Sequence, residues 1–157
     1  MDRPFVPAGF DPPYGLATDL FVLEPLGPEH NERDHRAWMS SIDHIHASPG
    51  FDDDLENADP WPAPMSLEEN IADLEDHARD FRERTGFTYT VLDPATRDVI
   101  GCVYIYPSTH ETHDARVRSW VRASHADLDG SLRRVVSSWL ASDAWSFEAP
   151  RYDGPAS

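Results

Sequence analysis

The sequence predicts an α/β domain whose mixed, largely antiparallel sheet is flanked by helices. Three observations carry this. Segments of two-residue period and segments of helical period follow one another in the order β-α-α-β-β-β-α-β. Three helical segments carry one apolar stripe each, as expected of helices laid on a sheet. The 157 residues, 39% of them hydrophobic and five of them Trp, suffice for one core and are too few for two comfortable ones. Residues 1–18, rich in Pro and Gly, read as an extended arm held to the body by Phe5, Phe10 and Tyr14. Residues 19–157 read as a single domain.

Each element has its own signal. "DLFVLEPL" (19–26) reads as the first strand, ended by Gly27-Pro28. "PEHNERDHRAWMSSIDHIHAS" (28–48) reads as one helix, because Trp38, Ile42 and Ile45 share a face, and Pro49-Gly50 stops it. Residues 51–64 form an acidic, Pro-rich loop. Residues 66–86 read as the clearest helix. Ser66 and Glu69 make a capping box, Leu67, Ile71, Leu74, Ala78 and Phe81 make the stripe, and Gly86 closes it. Residues 87–107 are two strands around a turn set by Pro94. In 114–123, Val117, Ser119 and Val121 face one way, and Arg116, Arg118, Trp120 and Arg122 the other. Residues 129–145 read as a helix with Leu132, Val135, Val136, Trp139 and Leu140 on one side. Residues 147–152 read as a short last strand, with Pro150 marking an edge or an end.

The charge excludes some partners. Twenty-nine acidic residues stand against 13 arginines and no lysine, a formal net charge of −16. That balance argues against non-specific nucleic-acid binding and against docking on anionic membranes. No run of about 18 apolar residues predicts a membrane span. The N-terminal stretch has no apolar h-region, so a cytoplasmic location is expected. The single cysteine, Cys102, lies in the apolar run "VIGCVYIY" and is expected to fill core space. Five arginines (Arg116, Arg118, Arg122, Arg133, Arg134) crowd into one window with only Asp127 and Asp129 opposing them. Such an island either steers a small anionic ligand or pairs with neighbouring carboxylates.

Several chemistries lack their motif. His44 and His46, with Asp43 and the run Asp52-Asp53-Asp54, hint at a metal, but side chains two apart on a helix point to different faces, so no metal site is expected. Ser108, Ser119 and Ser131 have no G-x-S-x-G context, and there is no G-x-x-x-x-G-K-[ST]. Asp127 or Asp129 is a favoured N-cap for the helix that follows.

The first strand "FVLEPL", the hairpin "YTVLDPATRDVIGCVYIYPS" and the strand, turn and helix "VRSWVRASHADLDGSLRRVVSSWL" together resemble the GCN5-related N-acetyltransferase superfamily, from about residue 19 to 152. The hairpin is particularly like that of actinobacterial members. The resemblance implies a GNAT-like fold, short at its C-terminal end, and acetyl-CoA as cosubstrate in a V-shaped gap between the family's fourth and fifth strands. It implies strand-edge amides and a carbonyl donor from Trp120 and Val121. The pyrophosphate turn would be Asp129, Gly130, Ser131 and Leu132, with added charge from Arg122 or Arg133. The family's signature there is Gln/Arg-x-x-Gly-x-Gly/Ala. Here only Gly130 is available and Asp127 and Asp129 bring negative charge to the turn, so the coenzyme loop is degenerate. The family's last helix and two strands have no counterpart, which makes a homodimer completing the site an expectation.

Candidate bases are Glu111, His113 and Asp114 at a hairpin tip, and Glu148 on the last strand. The expected function is an acyl-CoA-dependent N-acyltransferase acting on a small amine or amino-terminal acceptor. The alternative is a non-catalytic ligand-binding or interaction protein of the same fold. By resemblance, the acidic loop after the first helices borders the acceptor site, where carboxylates would attract a cationic amine.

Overall fold

The computed structural model describes residues 4–51, 61–109 and 112–153. Six strands form one sheet in chain order: β1 (Leu16–Ala17), β2 (Val22–Pro25), β3 (Phe87–Leu92), β4 (Val99–Tyr106), β5 (Ala115–Val121) and β6 (Pro150–Tyr152). Neighbours are antiparallel up to β5, and β5 pairs with β6 in parallel. Among the described residues, four α-helices flank the sheet: α1 (Asn31–Met39), α2 (Ile42–His46), α3 (Leu67–Glu83) and α4 (Asp129–Leu140). The architecture is therefore the mixed, largely antiparallel one the periodicity predicts. Asp52–Asp54 and Glu111 lie outside the described residues.

Alternation along the central strands divides the core in two. Val103 and Ile105 of β4 join Val117 and Val121 of β5 and Leu132, Val136 and Leu140 of α4 on one face. Cys102, Tyr104 and Trp120 meet Trp38, Ile45, Phe51 and Leu74 on the other. The N-terminal arm belongs to the first cluster. Phe5 lies 5.8 Å from the Phe87 ring and 5.1 Å from Phe147, and Phe10 lies 5.8 Å from Trp145.

Three expectations change. The helix expected over 28–48 is a 3-10 turn (Pro28–His30) followed by α1 and α2, broken at Ser40-Ser41. There the Ser40 hydroxyl donates to the Ala37 carbonyl at 2.7 Å, the local side-chain bond that competes with helix continuation. The capping box of α3 is present, with the Glu69 N–H donating to Ser66 Oγ and the Ser66 N–H to Glu69 Oε1, both at 3.1 Å. The helix ends, however, on Arg84 in the left-handed region (φ 60°), not on Gly86. Gly86 serves packing, because a Cβ there would lie 2.1 Å from the Tyr106 ring. The α3 stripe also buries Asn70 with Leu74 and Phe81 and leaves Leu67 exposed. Finally, α4 stops at Leu140 and is entered through a 3-10 segment, Ala123–Leu128, for which the sequence has no signal.

Candidate functional site: a parted strand edge and a charged pocket

The two edges of β5 do different things. The Arg122 N–H donates to the Ile100 carbonyl at 2.9 Å, and bonded pairs alternate along an antiparallel ladder. In the register Cys102–Trp120 and Tyr104–Arg118, Trp120 and Arg118 therefore turn their backbone groups to β4. Val117, Ser119 and Val121 turn theirs the other way, toward β6, where the Asp153 N–H donates to the Val117 carbonyl at 2.9 Å. Yet β6 pairs only with Ala115–Val117. Past that point the strands part, and the peptide groups of Ser119 and Val121 face the gap. Val121 thus presents an edge amide and Trp120 does not. Trp120 is buried, its indole N–H donating to the Tyr104 hydroxyl at 3.0 Å.

Side chains occupy the base of the gap. The Ser119 and Tyr152 hydroxyls hydrogen-bond across it. Arg133 stacks its guanidinium on the Tyr152 ring, 4.3 Å from the centroid, and donates to the Asp153 carbonyl. Burial pushes the Tyr152 hydroxyl well above its ordinary range. Burial also raises Asp129, against the pull of Arg133 and His44.

The turn that follows replaces a glycine loop with the 3-10 segment. Its amides are largely engaged: Ala123 N–H with Ser41 Oγ (2.9 Å), His125 N–H with the Arg122 carbonyl (2.8 Å), and Asp129 N–H with the Ala126 carbonyl. Neither Asp127 nor Asp129 caps α4, whose N-cap is Leu128 with no side-chain bond. A 3-10 carbonyl, that of Ala126, takes the leading N–H of α4 in place of a side-chain cap. Gly130 lies inside the first turn of α4, where a Cβ would meet nothing nearer than Arg134 Nη1 at 3.4 Å. Ser131 Oγ accepts from Arg134 at 3.3 Å, and Leu132 is core. Arg122 keeps a buried Nε without a partner. These residues suit the neutral, amide-rich arm of an acyl-CoA. They do not suit its pyrophosphate in a glycine loop, since three of the turn's amides are engaged and two aspartates are close.

On the face away from α4, a cavity of about 420 Å³ opens between α1, α3, β4 and β5. Leu26, Phe51, Trp61 and Leu74 give it apolar walls. Asp34 enters from α1. It is 5% exposed, and burial pushes its carboxyl up to about 6; Asp73 adds to the rise and Asn70, donating at 3.1 Å, opposes it. Asp73, on α3, is raised by burial and by Asp76 and Glu69. His77, also on α3, is held below its ordinary value, chiefly by burial and also by Arg118, against the pull of Asp80 and Asp76. The Tyr106 hydroxyl donates to Asp80 Oδ2 at 2.9 Å and lies 2.9 Å from His77 Nδ1. Its only proton goes to Asp80 and the Thr88 hydroxyl, 3.0 Å from Nδ1, donates to Tyr106, so both oxygens accept from Nδ1–H, which leaves His77 Nε2 as a proton acceptor on the cavity wall. Arg118 reaches in from β5, its guanidinium carbon 5.0 Å from the Phe51 centroid and 5.6 Å from that of Tyr104.

The sequence missed this pocket. A signal was available: Asp34 precedes Ala37 and Trp38 on the apolar face of α1, and Asn70 and His77 bracket Leu74 on that of α3. A polar residue on an apolar stripe asks for a partner. The expected bases lie elsewhere. The Asp114 carboxylate accepts the Glu148 and Ala149 N–H groups at 2.7 and 3.0 Å and stitches β6 to the body. His113 bonds Thr112, and His113, Asp114 and Glu148 line a second cavity of about 640 Å³ beside Phe5 and Phe147. Nε2 of His46 donates to the Pro62 carbonyl at 2.6 Å. Among the described residues, no helix is long and apolar enough to cross a membrane.

No family model matches the chain, and no curated protein matches it in sequence. Solved structures do match. The ribosomal-protein-S5-alanine acetyltransferase from Vibrio fischeri aligns at 16% identity and a TM-score of 0.59, over 80% of this chain and 66% of that one. The microcin C7 self-immunity acetyltransferase MccE, solved with acetyl-CoA and AMP, aligns at 13% identity and a TM-score of 0.60, over 85% of this chain and 70% of that one. A ribosomal L7/L12 α-N-protein acetyltransferase, solved with coenzyme A, aligns at 11% identity and a TM-score of 0.60, over 83% and 69%. The chain thus spans about two thirds of the length of the acetyltransferases it matches. Strand order, the parting of β5 from β6 and these likenesses agree: the chain has the fold of the GCN5-related N-acetyltransferase superfamily.

Proposed function

We propose that the protein is an acyl-CoA-dependent N-acyltransferase whose acceptor, a small amine or an amino terminus, sits in the charged pocket. The observation that carries this reading is the parted edge of β5, with Ser119 and Val121 open on one side and Arg118 reaching into the pocket on the other. An acyl-CoA, when bound, would supply the activated acyl group, and the peptide groups of Ser119 and Val121 with the Arg122 guanidinium are the residues that would hold it. Asp34 and Asp73 draw in the acceptor as its ammonium form. His77 Nε2, neutral because the ring is buried, takes the proton the amine must lose. Tyr106 and Asp80 steady the imidazolium from the Nδ1 side. A cytoplasmic location goes with this reading.

The turn favours a second reading, a binding protein of the same fold that uses the pocket and no coenzyme. Its engaged amides, its two aspartates and the Ser119–Tyr152 bridge all point that way. Thermal unfolding separates the two. Acetyl-CoA at one hundred times its Kd stabilises a protein that binds it only when folded by about 2.7 kcal/mol. An unmoved Tm at millimolar acetyl-CoA rejects the transferase. A shift that is lost in Arg122→Gln supports it.

A further inference from the structure

The pocket holds one cation and two carboxylates that do not meet. Arg118 packs on the Phe51 and Tyr104 rings, donates to the Gly50 carbonyl at 3.2 Å and, among the described residues, pairs with no carboxylate. Asp34 is all but buried, and the partner of its Oδ2 is the neutral amide of Asn70. Asp73, three residues on along α3, faces the same cavity. A desolvated charge without a counter-charge is costly, and here opposite charges share one cavity of ligand size without neutralising each other. Between them the walls are apolar, with Leu26 and Leu74, and aromatic, with Phe51 and Trp61. A simple amine would leave Arg118 unanswered, and a simple acid would leave Asp34 unanswered. A protein amino terminus brings no nearby carboxylate.

We infer that the pocket binds a zwitterion, a free amino acid with an apolar or aromatic body, with its ammonium on Asp34 and Asp73 and its carboxylate on Arg118. The inference rests on the pocket being the acceptor site of the proposed transferase, and it gives that acceptor a class. Calorimetric titration of the full chain without coenzyme tests it. The probes are L-phenylalanine, L-leucine and 6-aminohexanoate, set against 2-phenylethylamine and 3-phenylpropionate, which each keep one charge. At least one zwitterion binds tenfold or more tightly than either singly charged analogue. Arg118→Gln removes that advantage over the amine, and Asp73→Asn, at an exposed position on the pocket's rim, weakens zwitterion and amine alike while sparing the acid. Equal binding of 2-phenylethylamine and the zwitterions by the unaltered protein, or no zwitterion binding at 10 mM, overturns the inference; the analogue series needs no variant to fold. Acetyl-CoA is titrated separately. Amino-acid binding without acetyl-CoA binding sustains the inference and rejects the transferase, and the converse sustains the transferase alone.

Discussion

Toward β6, the charged groups around β5 are mostly answered within the chain, and toward α1 and α3 they are not. Arg116 pairs with Asp153 at 2.6 Å, and Arg133 stacks on Tyr152 while bonding the Asp153 carbonyl. These contacts tie the short last strand to α4 and β5. Two residues along the same face of β5, Arg118 reaches into the pocket with aromatic neighbours and no carboxylate pair among the described residues, and Asp34 has an amide instead of a cation. Charges that neutralise one another hold a fold together. Charges kept apart in a cavity keep their attraction for something from outside. By that measure the pocket is where an outside ligand is proposed to bind, although the family resemblance is read at the gap.

The largest expected effect tests the first half of the contrast. Arg133→Glu removes a charged hydrogen bond, worth about 1.5–3 kcal/mol, and a cation–π contact of about 1 kcal/mol, and sets a carboxylate near Asp129. A loss of about 3 kcal/mol in urea unfolding is expected. A loss under about 0.5 kcal/mol would show Arg133 free for a ligand and erase the contrast. The next effect tests the second half and has the opposite sign. The folded state holds the Asp34 proton more tightly than the unfolded chain does, with a folded value of about 6 against an ordinary 3.8. Wild-type stability from this group is therefore full below about pH 3.8 and falls as pH rises to about 6. Asp34→Asn escapes that penalty and should be about 2 kcal/mol more stable than wild type at neutral pH. The advantage should vanish near pH 4; a variant no more stable at neutral pH would mean that Asp34 is paired. The smallest effect sharpens the account of the turn. Gly130→Ala puts a methyl in a helix against only the mobile end of the Arg134 side chain, at 3.4 Å, and should stabilise by about 0.5–1 kcal/mol. If the same change abolishes an acetyl-CoA response, the turn is the phosphate seat after all.

How far the sequence reaches depends on whether a feature is local. The capping box Ser66–Glu69, the hairpin around Pro94 and the alternation of 114–123 are decided by neighbours within a few residues, and each is found where the pattern puts it. The break at Ser40-Ser41 is local too, but two serines compete weakly, and the stripe of Trp38, Ile42 and Ile45 runs across it. The 3-10 entry to α4 has no side-chain period and no Gly or Pro to mark it. The pocket is the least legible, because Asp34, His77 and Arg118 come from three elements, and each alone looks like an ordinary surface residue. Only packing buries them together. Resemblance led to β5, yet it named Trp120 for an edge amide where backbone parity points Trp120 toward β4.

The seating of the arm has a consequence for how this protein is made. Phe5 rests on Phe147, and Phe10 on Trp145, so these arm residues wait for a segment synthesised much later before their apolar surface is covered. Contacts this distant along the chain close late and slowly. Until residues around 147 leave the ribosome, the arm and the Phe87 face it covers stay exposed, and a nascent chain stalled short of that point is the form most prone to aggregate.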